Sequence, residues 1–257
     1  MGQPLLRDPF VAPEIFSSFP TLVASQSTRH GGESPAPFDS LNLGLSTGDA
    51  HDYVHRNREV FFGEQEIDIS QVALSHQVHS DAVLYAKSPG KYNGFDALIT
   101  NKRHVFLAVS IADCVPILIY DHAAQAVAAV HAGWRGTSKQ ILYKTMRTLQ
   151  ATFGTTANTC VAYIGTCISA AHYQVDADVA AHFNSDVKVY SAPEDKFYLD
   201  LKLANVAQLK SFGLSDDQIE VSPYCTYADS AHFFSHRFAT HHTGGKTGRM
   251  MACIGLR

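Results

Sequence analysis

The chain has 257 residues, of which 46% are hydrophobic and 17% are charged, and its 20 Lys and Arg against 24 Asp and Glu give a formal net charge of −4. This length can bury a sizeable core and no linker divides the sequence, so we expect one domain over residues 1–257. The apolar content argues against a disordered chain, and the acidic balance argues against a nucleic-acid binder.

The first half of the chain is predicted to be rich in strands. A strand is expected at 22–27, and the Gly-, Pro- and Ser-rich segment 29–48 is a loop of a length that often carries function. Asp49 is the predicted N-cap of a helix that continues to about Phe62. Short apolar runs predict further strands at 72–75, 82–85, 97–100, 105–111, 116–120 and 126–131.

The second half is predicted to alternate between helices and strands. Thr137 or Ser138 would cap a helix that ends at Gly154, and Asp200 would cap a second helix that ends at Gly213. The residues at helical spacing in this second helix are Leu203, Val206, Ala207 and Lys210. Strands are predicted at 161–164, 219–222 and 250–254. This order of elements predicts a layered α/β or α+β domain.

The sequence contains 14 histidines and five cysteines. Histidine at this density, in a chain poor in other charges, indicates metal or proton chemistry. An odd number of cysteines without a secretory signal argues against a disulfide framework. Because no apolar run approaches the roughly 20 residues of a membrane span, we expect a soluble, cytoplasmic protein with no membrane partner.

Three segments at the ends of predicted strands carry the residues that could perform chemistry: 75–79, 112–116 and 130–136. Cys114, His131 and either His76 or His79 would supply the Cys/His₂ set of a catalytic zinc site with one open position. The alternative is that the thiol and the imidazole are ordinary core groups. Asp113 lies inside an apolar run, where a carboxylate must be paired or hydrogen-bonded.

Two further hypotheses concern anions and copper. Residues 134–138 place Arg135 in a turn that leads into a predicted helix, which favours a phosphate site, although an ordinary helix start with a surface arginine fits equally well. Copper oxidation is disfavoured, because the sequence has no His-x-His pair of the kind that a trinuclear copper cluster needs. Met250 and Met251 lie in a predicted strand with no candidate copper ligand nearby.

A series of short motifs runs in order along nearly the whole chain. It comprises residues 28–32 (Thr-Arg-His-Gly-Gly), 40–44 (Ser-Leu-Asn-Leu-Gly), 48–49, 57–58, 77–79 (Gln-Val-His), 112–116 (Ala-Asp-Cys-Val-Pro), 131–136 (His-Ala-Gly-Trp-Arg-Gly), 164–168, 173–175, 225–226, 234–237 and 247–249 (Thr-Gly-Arg). In these motifs the chain resembles the bacterial laccase-domain or polyphenol-oxidase-like family. Members of that family are described as purine nucleoside phosphorylases, and some are called peptidoglycan editing factors.

The resemblance implies a single-domain, layered α/β/β/α sandwich with a cleft. It implies Zn²⁺ held by His79, Cys114 and His131, and it leaves His76 outside the ligand set. It further implies that the substrates are purine nucleosides and phosphate, with phosphorolysis of adenosine, inosine and methylthioadenosine and deamination of adenosine. The oligomeric state is left open.

These implications assign roles to several residues. A zinc-activated water would attack the purine during deamination, with Asp113 orienting groups or transferring a proton. Arg135 and the following helix start would position phosphate. Gln77, Arg29 and Arg249 are also predicted to line the cleft, Gln77 as a catalytic residue and the two arginines as ligands of substrate or phosphate.

Two other functions compete with this hypothesis. One is a metal-free cysteine hydrolase or deamidase with Cys114 as nucleophile and His131 as base. The other is a non-enzymatic zinc-binding regulator or a peptidoglycan-precursor editing factor.

Overall fold

Two six-stranded β-sheets stacked face to face form the centre of the protein, in a computed structural model that describes residues 8–257. The strands are β1 (Phe10–Val11), β2 (Leu22–Ser27), β3 (Val72–His76), β4 (Val83–Tyr85), β5 (Gly90–Asn93), β6 (Ala97–Thr100), β7 (Phe106–Ile111), β8 (Val115–Asp121), β9 (Ala126–Ala132), β10 (Cys160–Ile164), β11 (Gln174–Val175), β12 (Lys188–Ser191), β13 (Lys196–Leu199), β14 (Ile219–Val221) and β15 (Met250–Leu256). The helices are α1 (His51–Gly63), α2 (Trp134–Ser138), α3 (Ile141–Phe153), α4 (Ala177–Ala180), α5 (Leu201–Phe212) and α6 (His236–His242).

The first sheet has the strand order β1-β2-β15-β7-β3-β5, and the second has the order β14-β10-β8-β9-β6-β4. A third, three-stranded sheet has the order β11-β13-β12. In the second sheet β8 and β9 run antiparallel, so that Val115 lies opposite Ala132 and Pro116 lies opposite His131. The chain passes directly from β7 in the first sheet to β8 in the second, through residues 112–114.

Three buried layers explain why these strands and helices stack. Leu107 of β7 and Leu118 of β8 belong to the apolar cluster between the two sheets. Residues of α3 and α5 cover the outer face of the second sheet, while α1 and the 41–43 segment cover the outer face of the first sheet. The expected α/β/β/α sandwich is therefore confirmed, because each sheet buries one face against its partner and the other against helix.

The apolar strands were well predicted, but polar strands were missed. Strands β2 and β6 have the predicted bounds, and the other predicted strands differ from the observed ones by one or two residues at their ends. Strand β5, with the sequence Gly-Lys-Tyr-Asn, and strand β12 lacked the apolar runs on which the strand predictions rested, and the short run Phe-Tyr-Leu of β13 was also missed. Strand β5 forms because its backbone pairs in parallel with β3.

Two of the predicted helix starts are wrong. Ala50 is the N-cap of α1, and Asp49 instead accepts hydrogen bonds from the side chains of Ser34 (2.6 Å) and Asn42 (2.9 Å). Neither Thr137 nor Ser138 caps the long helix, because both lie within the short α2. A left-handed Gln140 (φ 62°) separates α2 from α3.

The other predicted helix ends are confirmed. Gly154 ends α3 with a φ of 76°, and the Asp200 carboxylate caps α5 by accepting a hydrogen bond from the Leu203 amide at 2.8 Å. Of the residues at helical spacing in α5, Val206 packs against the core but Leu203 is 46% exposed, and the helix buries Leu201, Ala204, Asn205 and Leu209. The buried Asn205 amide donates to Thr137 Oγ1 at 3.1 Å and to the Leu201 carbonyl at 2.8 Å. No helix within residues 8–257 is long and apolar enough to cross a membrane.

Candidate metal centre and cavity

Three strand ends bring a thiol and two imidazoles together. His79 lies in the loop after β3, Cys114 lies in the link from β7 to β8, and His131 lies near the end of β9. Their ligand atoms all lie within 4.8 Å of one another, and Cys114 Sγ is 4.0 Å from His79 Nε2. His131 is buried, Cys114 is half-buried and His79 is exposed. These three residues could hold a metal ion, whereas His76 lies outside the group.

Asp96, which was not predicted from the sequence, holds the side chain of His131 and the backbone of His79. Its Oδ1 accepts a hydrogen bond from His131 Nδ1 at 2.8 Å and from the His79 amide at 3.1 Å. Its Oδ2 accepts from the Ser80 amide at 2.6 Å and from the Ser80 hydroxyl at 2.8 Å. Because Nδ1 of His131 is occupied, Nε2 is the nitrogen left for a ligand. In the sequence, the only indication of this role was that the Asp96 carboxylate lies directly before an apolar strand.

Two residues at the site adopt left-handed backbone conformations that side chains disfavour. His79 has a φ of 58° and Asp113 a φ of 87°. Asp113 is held there because its Oδ1 accepts from the Thr226 hydroxyl and its Oδ2 from the Arg237 amide, both at 2.6 Å. Such strain persists only where surrounding contacts determine it, and it clusters at functional sites.

Because Gly133 has no side chain, the side chains of Cys114 and His79 can occupy the space beside it. A Cβ atom at this position would lie 3.0 Å from Cys114 Sγ and 3.1 Å from His79 Cδ2. The φ of Gly133 is −74°, which any residue can adopt. The absence of a side chain therefore matters here for the close approach of Cys114 and His79 and not for backbone conformation.

The electrostatics of the cluster favour the thiolate form of Cys114 and the imidazolium form of His131. Burial disfavours the Cys114 thiolate, but the His131 charge and hydrogen bonds from His131 and His79 outweigh it and lower the pKa of Cys114 to about 6. Burial also disfavours the His131 imidazolium, yet Cys114 and Asp96 raise the pKa of His131 to about 9. Burial opposes ionisation of Asp96 as well, but hydrogen bonds from His131 and Ser80 lower its pKa to about 2.

The three donor groups lie in the wall of a cavity of about 740 Å³. On one side it is lined by Ile168, Tyr173 and Arg237, and the Arg237 guanidinium lies 5.3 Å from the centroid of the Tyr173 ring. On the other side it extends over the outer face of the first sheet, where Arg58 and Arg249 line it. Among the described residues that line the cavity, Asp113 is the only carboxylate. The cavity is therefore suited to an anion.

The two arginines on that side are partly shielded from water. Arg58 Nε donates to the Leu43 carbonyl at 2.8 Å, and burial lowers the pKa of Arg58 to about 10. Arg249 Nη1 donates to the carbonyls of Thr247 (3.2 Å) and Gly248 (3.0 Å), and burial lowers its pKa. A guanidinium has five N–H donors, so these bonds fix each side chain without using all of them.

The structure places the residues predicted to line the cleft in three different environments. Arg249 and Gln77 line the cavity, and Gln77 pairs through its side-chain amide with both backbone groups of Ser110, at 2.7 and 2.9 Å. Arg29 instead donates to the carbonyls of Asp39 and Ser230, each at 2.7 Å. Arg135 is exposed, and its guanidinium lies 4.3 Å from the centroid of the Trp134 ring. Neither Arg29 nor Arg135 lines the cavity.

The fold and the site together define a class of protein: layered α/β/β/α proteins with a His–Cys–His cluster in the wall of a cationic cavity. The chain belongs to the family whose model is described as multi-copper polyphenol oxidoreductase laccase, and the match covers residues 23–257. It is 34% identical over 251 residues to the purine nucleoside phosphorylase YlmD of Bacillus subtilis, which covers 92% of this chain and 89% of that protein.

Two further similarities agree with this assignment. The chain is 34% identical over 240 residues to the purine nucleoside phosphorylase YfiH of Escherichia coli, with coverage of 91% and 94%. The crystal structure of YlmD from Geobacillus stearothermophilus superposes with a TM-score of 0.90 at 32% identity and covers 97% of each chain. The resemblance that the sequence motifs indicated is therefore confirmed.

Proposed function

We propose that this protein is a zinc-dependent purine nucleoside phosphorylase that also deaminates adenosine, and that residues 1–257 form the single domain that carries both activities. The observation that carries the proposal is the His79, Cys114 and His131 cluster in the wall of a cationic cavity. The names of the relatives support the phosphorylase activity.

The donor set fits zinc. With Zn–S and Zn–N bonds of about 2.3 and 2.0 Å, tetrahedral ligands would have a sulfur–nitrogen separation of roughly 3.5 Å. The observed separation of 4.0 Å between Cys114 Sγ and His79 Nε2 is close to this value. None of the described residues that line the cavity is a methionine, the usual axial ligand of a mononuclear copper site with this donor set. Bound zinc would act as a Lewis acid that activates water and polarises the substrate.

The protein's own side chains would orient the reactants. Asp96 fixes the imidazole of His131 and the loop that carries His79. In phosphorolysis an oxygen of phosphate forms a bond to C1′ of the sugar while the bond from C1′ to the purine nitrogen breaks. We assign the binding of that phosphate to Arg249 and Arg58, because both residues line the cavity and their guanidinium groups keep N–H donors beyond those bonded to backbone carbonyls.

This assignment revises part of the expectation from sequence. We place the phosphate away from Arg29 and Arg135, since neither side chain lines the cavity. Asp113 is proposed as a positioning residue, because its two oxygens hold Thr226 and the start of α6. A role for Asp113 in proton transfer, a role for Gln77 in catalysis, peptidoglycan editing and a cytoplasmic location stay predictions.

The test is product analysis with purified protein, prepared metal-free and then loaded with zinc. We expect hypoxanthine and ribose 1-phosphate from inosine only when phosphate is present, and inosine from adenosine. Arg249→Ala should raise the KM for phosphate about tenfold or more, whereas Arg135→Ala should leave it within twofold. Base release that does not need phosphate, or full activity of Cys114→Ala, would contradict the proposal.

A second candidate function, a metal-free cysteine hydrolase or deamidase, rests on the environment of Cys114. The lowered pKa of Cys114, about 6, and its contact with His131 are features of a nucleophilic cysteine beside a base. A metal-free cysteine hydrolase or deamidase would keep its activity after chelation, whereas the zinc enzyme would lose it and regain it with added zinc. Thiol alkylation would inactivate both and does not distinguish them.

A further inference from the structure

We infer that the side of the cavity formed by β3 and β5 binds the 5′-phosphates of a purine nucleotide, so that the site accepts nucleoside 5′-diphosphates as well as nucleosides. The inference rests on the proposed function, because it assumes that a purine nucleoside occupies the part of the cavity near the His79, Cys114 and His131 cluster.

The register of β3 and β5 places several polar side chains on one surface. Leu74 lies opposite Lys91, and His76 lies opposite Asn93, in a parallel pair. Since successive side chains of a strand point to opposite faces, these four residues share one face of the sheet. Leu74 packs against the cluster that contains Phe61 of α1, so this is the outer face. All four line the cavity.

This surface is the part of the cavity wall formed by β3 and β5, and we call it the arm; its residues lie outside the His79, Cys114 and His131 cluster. Residues 44–46 and Arg58 also line this side of the cavity, and Arg249 lies there too. Strand β5 is at the end of the described strand order of its sheet, and Lys91 is exposed on it. Its ammonium group is therefore accessible to a ligand that enters the arm.

The charge of the arm exceeds what one inorganic phosphate needs. Arg58 and Arg249 supply two cations for phosphate, and Lys91 and the imidazole of His76 add further donors. The only carboxylate among the described lining residues, Asp113, accepts hydrogen bonds from the Thr226 hydroxyl and the Arg237 backbone amide, and its charge acts on Arg249. Four cationic side chains, those of Arg58, Lys91, Arg237 and Arg249, line the cavity with this one carboxylate, and such an excess of positive charge favours a ligand with more than one phosphate group.

The size of the cavity agrees with a longer ligand. Cavities of roughly 300–1,000 Å³ hold drug-sized molecules. At about 740 Å³ the cavity lies in the upper half of that range. A nucleoside 5′-diphosphate carries both phosphates on the 5′ side of its sugar, so cationic groups on one side of the cavity suffice to bind them.

The test measures the binding of ADP and of adenosine to zinc-loaded protein by calorimetry. Wild-type protein should bind ADP more tightly than adenosine. Lys91→Ala should weaken ADP binding about tenfold and Lys91→Glu should weaken it further, while adenosine binding stays within twofold. The matched control is Lys102→Ala, which removes the same charge from an exposed position that does not line the cavity and should change neither affinity.

Two outcomes would overturn the inference: ADP that binds no more tightly than adenosine, or ADP binding that Lys91→Ala leaves unchanged. Phosphorolysis of inosine is followed on the same samples. Turnover of inosine without Lys91-dependent ADP binding would overturn the nucleotide arm and leave the proposed function intact. Lys91-dependent ADP binding without turnover would support the arm and count against the phosphorylase.

Discussion

Steric room at a single position controls how closely the donor groups of this site can approach one another. Replacing Gly133 with alanine would place a Cβ atom 3.0 Å from Cys114 Sγ and 3.1 Å from His79 Cδ2. We predict that Gly133→Ala folds normally, because the backbone at φ −74° accepts alanine, but binds zinc at least about tenfold more weakly. Competition with a chromogenic chelator measures the affinity, and circular dichroism confirms the fold.

The matched control for that change is Gly63→Ala, where an added Cβ atom would meet nothing within 4 Å. Zinc affinity of Gly63→Ala should equal that of the wild type. Equal affinities for Gly133→Ala and wild type would show that the thiol and the imidazole do not hold the metal in the arrangement described.

Asp96 gives the site a dependence on pH. The folded protein lowers the pKa of Asp96 from the ordinary 3.8 to about 2, so its contribution to stability is present above pH 4 and is lost as the pH falls through 2. From this shift, wild-type protein should be more stable than Asp96→Asn by about 2 kcal/mol at pH 6. The difference should narrow below pH 4, as measured by denaturant unfolding of the metal-free proteins.

The control for this comparison is Asp217→Asn, because Asp217 is exposed. Its stability should follow that of the wild type at every pH. A gap between wild type and Asp96→Asn that stays constant from pH 6 to pH 2.5 would mean that the pKa of Asp96 is not lowered by folding.

At the scale of elements, α5 depends on a single capping carboxylate. Asp200 accepts a hydrogen bond from the Leu203 amide at 2.8 Å, which satisfies one of the unpaired donors of the first turn. Asp200→Ala should lower the free energy of unfolding by about 1 kcal/mol. Urea denaturation measures the loss, and Asp217→Ala, at an exposed position with no capping role, should change stability by less than about 0.5 kcal/mol.

Asp49 and Asp200 show what the sequence can and cannot predict about elements. Both precede a helical pattern, but Asp49 bonds to Ser34 and Asn42 in the preceding loop, whereas Asp200 caps its helix. The local sequence pattern predicts where a helix lies, but contacts with residues distant in sequence determine which polar group caps it. The apolar strands were predicted because their period and length are local properties, whereas β5 depends on pairing with β3.

At the scale of the whole molecule, one buried side chain connects the two sheets. Gln26 of β2 donates through Nε2 to the Thr166 carbonyl at 3.0 Å and accepts from the Thr166 amide at 2.8 Å. Gln26→Ala would leave two buried backbone groups unpaired, so we predict a loss of about 3 kcal/mol in the free energy of unfolding. Gln150→Ala, at an exposed position of α3, serves as the control. Equal denaturation midpoints for Gln26→Ala and Gln150→Ala would contradict this prediction.

The candidate site was predicted only in part, for a reason that belongs to the whole fold. The sequence showed three chemically suitable segments at strand ends, but only the stacking of the sheets brings His79, Cys114 and His131 to within 4.8 Å. Asp96 and Arg58 were missed because their contacts reach distant segments that no local pattern indicates. Arg135, in contrast, lies in a suggestive local pattern and yet does not line the cavity, because its guanidinium stacks on the Trp134 ring.

The link from β7 to β8 has a consequence for how the protein persists in a cell. Cys114 lies on that link, His79 follows a strand of the first sheet and His131 belongs to the second. An ion bound by all three would cross-link the two layers, and its binding energy would be gained only by molecules whose layers are correctly docked. Metal supply would then set the resistance of the protein to proteolysis, and a misassembled copy, unable to retain the ion, would be degraded first.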